Sequence, residues 1–300
     1  MELVKRVLTA IILIPVVLLL VLRAPVEVFV LVSAVIALLA IRELLKLAEA
    51  YGVRPLRTPT YLLTGGFFLL VGFTPGATPL LSTSAFALVA LSSAVLAPFL
   101  FLAATMRRAD LSSGFLAAAV SSFAFAYIAL PMASLAQTRE QWRGGFFILY
   151  LLLLVWAGDI FAYFVGKSLG TRRMSPRVSP KKTWEGAMAS VTASVATGML
   201  IFHYAVPIST ALLDAHLIER RDSGVFSQPG SLLPIVVLSI VLNVAAQFGD
   251  LVESLIKRGA GAKDSGAILP GHGGMLDRID ALLFAAPVLW MYLSWHVLVE

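Results

Sequence analysis

The feature that most limits how this chain can fold is a series of uninterrupted apolar runs, each near the length of a membrane crossing. They cover approximately residues 7–22, 26–47, 60–74, 84–105, 113–136, 146–166, 186–206, 231–250 and 279–299, with Pro75, Pro79 and Pro98 interrupting the region of the third and fourth. A helix needs about 20 residues to cross a hydrocarbon core, and backbone in lipid must satisfy its own hydrogen bonds, so helices are expected. Continuous runs rather than period-two alternation exclude an outer-membrane barrel. Composition agrees: the 300 residues are 59% hydrophobic and 13% charged, with mean hydropathy +0.90. A soluble domain is about half apolar and about a quarter charged. The expected fold is all-α, a polytopic helical membrane protein of about nine transmembrane helices.

Loop charges orient these spans, because cytoplasmic loops collect Lys and Arg. Lys5 and Arg6 place the N-terminus in the cytoplasm; no small-x-small cleavage site follows, so the first span is expected to stay uncleaved. Alternate connections then carry Arg42, Lys46, Arg54 and Arg57, followed by Arg107 and Arg108. The next, Lys167–Thr183, holds Lys167, Arg172, Arg173, Arg177, Lys181 and Lys182 without an acidic residue, and Lys257, Arg258 and Lys263 fall on the same side. The intervening loops are neutral or nearly balanced. The net charge of +6 suits anionic headgroups or an anionic substrate, whereas basic residues dispersed over short loops argue against nucleic acid. Cysteine is absent, which removes disulfides, thiolate nucleophiles and sulfur metal sites.

Against this apolar background, Gln247–Asp280 concentrates Asp250, Glu253, Lys257, Arg258, Lys263, Asp264, His272, Asp277, Arg278 and Asp280 at one membrane border. Ionisable groups there are costly enough that function is the default reading. If the eighth span continues as a helix beyond Phe248, then Asp250, Glu253 and Lys257 share one face. Asp277 and Asp280, also three apart, would present a second pair. Such an oxygen-rich cluster suits Mg²⁺, which takes one or two carboxylates and fills its other positions with water and phosphate. Arg258 and Arg278 fit interfacial helix capping as well as a site role, and His272 fits a structural role as well as a ligand role. A second motif, Ser175–Gly186, combines Ser179, Lys181, Lys182, Thr183 and Glu185 with stiffening prolines. Its hydroxyls and cations suit phosphate, although a polybasic loop would also satisfy the charge rule. The third, Gly158–Lys167, puts Asp159 inside a span, where it would serve either as a cation's structural partner or in the site. No Walker A, GxSxG or HExxH pattern occurs.

These residues resemble the phosphatidate cytidylyltransferases (CDP-diacylglycerol synthases). The resemblance rests on Ser254, Lys257, Arg258, Lys263, Asp264, Gly266, Leu269, Pro270, His272, Gly273, Gly274, Asp277, Arg278 and Asp280, all in register with the family's C-terminal signature. The Asp159–Lys167 and Ser175–Gly186 motifs also look like the family's; Ala189 departs, where glycine is expected. The resemblance implies condensation of CTP with phosphatidic acid to CDP-diacylglycerol and pyrophosphate. It also implies Mg²⁺ on Asp250, Asp277 and Asp280, with Glu253 at that metal or at a second cation such as K⁺. Lys181, Lys182 and Lys257 are expected to hold the triphosphate or the lipid headgroup. Ser179, Thr183 and Glu185, with Lys263, Asp264 and His272, would shape the nucleotide site.

The expected organisation is one integral-membrane domain over 1–300, with helices of 1–145 as scaffold and homodimer contact and 146–300 carrying catalysis. A bacterial inner membrane with the site facing the cytoplasm is implied. Two rival readings are weaker. A transporter would place its charges near the midplane of two similar halves. An alcohol phosphotransferase would carry Asp-Gly-x-x-Ala-Arg, which this chain lacks.

Overall fold

The computed structural model describes residues 2–72, 82–106, 110–141, 144–216, 232–268 and 273–299. In chain order the helices are α1 (Glu2–Leu22), α2 (Val26–Ala50), α3 (Arg57–Gly72) and α4 (Thr83–Thr105). They continue with α5 (Gly114–Ala124), α6 (Leu130–Glu140), α7 (Gly144–Ser168), α8 (Trp184–His203), α9 (Ala205–Asp214), α10 (Leu233–Gly259) and α11 (Leu276–Val299). Strands β1 (Arg173–Ser175) and β2 (Ser179–Thr183) form the one sheet among the described residues, an antiparallel pair. The fold is all-α apart from that hairpin. Among the described residues, six helices are long and apolar enough to cross a membrane: α2, α4, the continuous Gly114–Glu140 helix, α7, α8 and α10.

Sequence chemistry explains where elements bend and stop. A π-helical turn over Phe125–Ala129 joins α5 to α6. It precedes Pro131, whose missing N–H would orphan a carbonyl one turn back; a widened turn is a common accommodation. Two parts of the chain read as loops are ordered otherwise. Within 167–185, the Val178 N–H donates to the Ser175 carbonyl at 3.2 Å, closing a turn with Pro176 in the position where its fixed φ is favoured. Pro180 is tolerated because β2 belongs to a two-stranded sheet and has a free edge. In 207–230, residues to Asp214 continue as α9, where Pro207 lies in the first turn and needs no intrahelical donor; residues 217–230 lie outside those described.

The core beneath the site is a close crossing of α7, α8 and α10. A side chain at Gly158 of α7 would collide with Asn243, Ser190 and Ser194, and Gly166 lies against Gly186 of α8. Small residues let helices approach in lipid, and interhelical polar contacts then join them. Here Asn243 Nδ2 donates to Ser190 Oγ and Ser194 Oγ at 2.9 and 2.8 Å. Gln247 Nε2 donates to Asn243 Oδ1 at 2.6 Å, and Tyr150 pairs with Ser239 at 2.8 Å. One face of α10 is therefore polar from Ser239 upward, leading to the charged turns at its end.

Candidate active site

α10 runs as one helix past Phe248 to Gly259, so the conditional reading of Asp250, Glu253 and Lys257 on one face holds. Its end is set by Gly261, whose φ of +68° is a conformation glycine adopts at little cost. The Gly261 N–H donates to the Arg258 carbonyl at 3.0 Å and the Ala262 N–H to the Lys257 carbonyl at 2.9 Å, a Schellman ending that satisfies two terminal carbonyls. Arg258 Nη1 adds a bond to the Ala262 carbonyl at 2.9 Å, the helix-capping role among its two readings.

The antiparallel partner α11 brings Asp280 to this end. Carboxylate oxygens of Asp250, Glu253 and Asp280 lie within 4.8 Å of one another. Glu253 is fully buried, and its Oε1 has no hydrogen-bond donor among the described residues. Lys182 of β2 reaches the cluster, its Nζ 2.6 Å from Asp250 Oδ2. Lys257 pairs with Glu253 and, at 2.5 Å, with Asp277 Oδ1. Asp280 Oδ1 accepts from its neighbour's Ala281 N–H at 2.8 Å, and no Lys or Arg pairs with Asp280 among the described residues. Three converging carboxylates with two cations at their flank repel one another unless a further positive charge joins them, and an oxygen donor set of this kind fits a hard divalent cation.

Asp277 is placed differently from its helical neighbour Asp280. Its Oδ2 accepts from the backbone N–H groups of Ser265 and Gly274 at 2.9 and 2.7 Å, while Oδ1 takes Lys257. Lys257 and the two backbone donors satisfy both Asp277 oxygens. Asp277 thus binds the connection after α10 to the first turn of α11.

An open cleft of about 280 Å³ lies over these groups, lined by Asp159, Asp250, Asp264, Asp277 and Asp280 with Lys257 and Arg278. Asp159, for which two roles stood open, faces this cleft. Lys263 and Lys181 are exposed. Thr183 is buried and caps α8, its Oγ1 accepting from the Gly186 N–H at 3.2 Å. Glu185 ties the base of the hairpin, accepting from Thr171 Oγ1 at 2.7 Å and from the Arg172 N–H at 3.2 Å. Ser179 is half-buried at the start of β2, and His272 lies outside the described residues.

Two residues at this site carry no mark in the local pattern. Glu43 of α2 is buried against Ser265 and the start of α11, and Tyr51 donates from its hydroxyl to the Ile256 carbonyl at 2.7 Å. The one sequence signal for Glu43 is an acidic residue near the end of an apolar run, beside Arg42 and Lys46.

The sequence matches the cytidylyltransferase family over residues 4–296. It is 39% identical over 167 residues to a phosphatidate cytidylyltransferase of Brucella abortus, covering 55% of this chain and 54% of that protein. It is 40% identical over 148 residues to one of Bacillus subtilis, covering 49% and 47%. A third, of Staphylococcus saprophyticus, is 33% identical over 199 residues, covering 66% and 67%. The match to the first two thus spans about half the length of each. With the match running through every element of the site, the chain belongs to the cytidylyltransferase family.

Proposed function

We propose that this chain condenses CTP with phosphatidic acid to give CDP-diacylglycerol and pyrophosphate. The observation that carries the reading is the meeting of Asp250, Glu253 and Asp280 with Lys182 from the hairpin. A phosphatidate oxygen attacks the α-phosphorus of CTP, the new oxygen–phosphorus bond forms, and the bond to the β-phosphate bridge breaks to release pyrophosphate. That oxygen is already ionised at neutral pH, so no general base is required. Two anions must approach, and catalysis of such transfers is mostly positioning and charge neutralisation.

Asp250 and Asp280 would hold Mg²⁺, and Glu253, through its free Oε1, a second cation such as K⁺ or the same ion. Bound there, Mg²⁺ supplies charge neutralisation at the transferring phosphate. Lys182 is placed to exchange its Asp250 contact for a substrate phosphate, with Lys181 beside it as a second phosphate contact. Lys257 stays between Glu253 and Asp277, so we assign both Lys257 and Asp277 to setting the cluster's geometry. Ser179, Thr183, Glu185, Lys263, Asp264 and His272 are assigned to the walls around the nucleotide, with Thr183 and Glu185 acting by shaping the hairpin.

The same reading adds α1, α3 and α11 to the six apolar helices for nine spans with the N-terminus inside. The 1–145 helices then act as scaffold and homodimer contact and 146–300 as the catalytic part, within a bacterial inner membrane. The hairpin and the 259–276 connection both face the cytoplasm, where CTP arrives while the diacyl substrate enters laterally. The likeness to relatives named phosphatidate cytidylyltransferase supports this. The test is transfer of label from CTP into lipid by purified protein with phosphatidic acid and Mg²⁺. Incorporation that needs both, and is lost in Asp250→Asn, is expected. Well-folded wild type that labels no lipid would overturn it.

A further inference from the structure

We infer that Glu43, more than two hundred residues before the site's signature in sequence, is a positioning residue for the reaction. Through Ser265 and Asp277 it sets Lys257 against the carboxylate cluster, an inference that rests on the function proposed above. Glu43 is 4% exposed, and a carboxylate so buried is costly unless its oxygens are well bonded. Oε2 accepts from Ser265 Oγ and from the Leu276 N–H, each at 2.9 Å. Oε1 accepts from the Met275 N–H at 3.0 Å. The two amides open α11, where the first N–H groups of a helix lack intrahelical partners and a negative charge is favoured by the helix dipole. Glu43 therefore caps α11 from another helix. Room for its head is specific: a side chain at either Gly266 or Gly274 would collide with the Glu43 carboxylate.

From Glu43 the contacts lead to the site without a gap. Ser265, bonded to Glu43 through its hydroxyl, donates its N–H to Asp277 Oδ2 and accepts from the Asp277 N–H on Oγ at 3.3 Å. Asp277 holds Lys257, and Lys257 pairs with Glu253. A shift of Ser265 or of the first turn of α11 therefore moves both the cation and the carboxylate it faces. Groups that orient metal ligands in this indirect way typically change metal affinity when removed.

The experiment compares wild type with Glu43→Gln, which keeps the size of the side chain but turns one acceptor into a donor facing N–H groups. Amide hydrogen exchange, measured without Mg²⁺ or CTP, should speed up about tenfold at Met275 and Leu276. In the CTP-incorporation assay the Mg²⁺ concentration for half-maximal activity should rise about tenfold. A role confined to folding would lower activity in proportion to lost folded protein and leave that concentration unchanged, which overturns the proposal. Unchanged exchange overturns it as well. Should Glu43→Gln fail to fold, Ser265→Ala removes the hydroxyl link without creating a buried charge. It should raise the half-activating Mg²⁺ about threefold, and no change there overturns the proposal. Wild type that incorporates no CTP rejects the reaction and the role within it, while the exchange comparison still reads whether Glu43 orders the connection.

Discussion

The two connections that meet over the cleft are built on opposite plans. In the 169–183 hairpin, Arg173, Arg177 and Lys181 stand exposed, and its tie to the carboxylate cluster is the partly exposed Lys182–Asp250 pair. At the 259–276 connection, Ser265 is buried against Glu43 of α2, and Glu253 and Lys257 of α10 are buried beside it, all joined through Asp277. Exposed ion pairs contribute little to stability, whereas a buried pair leaves an uncompensated charge when one member is removed. The difference suggests a division of labour. On the function proposed above, the buried network around Ser265 and Asp277 would be a fixed template for cations, and the hairpin a set of positive groups able to leave their resting partners for phosphate.

Substitutions at the template should have the largest effects. Asp280→Asn removes charge from the cluster while adding no bulk, and CTP incorporation should fall about a thousandfold at unchanged thermal stability. Activity within tenfold of wild type would move the cation site elsewhere in the cleft. Lys257→Met leaves Glu253 and Asp277 without their cation, and loss of one partner from a buried pair costs about 3–5 kcal/mol. Thermal unfolding in detergent should show that loss; an unchanged midpoint would mean that the template is not fixed by this triad. On the hairpin, Lys182→Met should raise the KM for CTP about tenfold, and Lys181→Met about threefold, with little change in unfolding temperature. Equal effects on stability from Lys182 and Lys257 would erase the distinction between the two connections.

How far the sequence could foretell this differs between the same two places. Asp250, Glu253 and Lys257 are read onto one face by helical spacing, and Asp280 onto the facing helix, because local periodicity carries that information. The apolar runs became helices for the same reason. Spacing could not separate Asp277 from Asp280, since the backbone donors that distinguish Asp277 come from Ser265 and Gly274 in the intervening connection. Nor could it find Glu43, whose role arises only when α2 packs against a loop distant in sequence. The hairpin reads from sequence as a loop because its strands are short, one carries Pro180 and the turn carries Pro176, and strand pairing is a nonlocal property. His272 falls outside the described residues.

The smallest effect bears on whether the template is ordered before substrate arrives. Gly261 has φ of +68° with open space where a side chain would stand, so Gly261→Ala meets no neighbour and reports the backbone alone. An L-residue in the left-handed region costs about 1 kcal/mol, and the unfolding midpoint should fall accordingly. If the end of α10 is fixed in the free protein, that cost is borne equally with and without CTP, and the KM for CTP stays within about twofold of wild type, a change worth well under 1 kcal/mol. Should the KM rise as the hairpin variants' does, the Schellman ending must form or tighten on binding. The two connections would then both be responding to substrate, and the contrast between a fixed template and an exchanging clamp would fail at the end of α10.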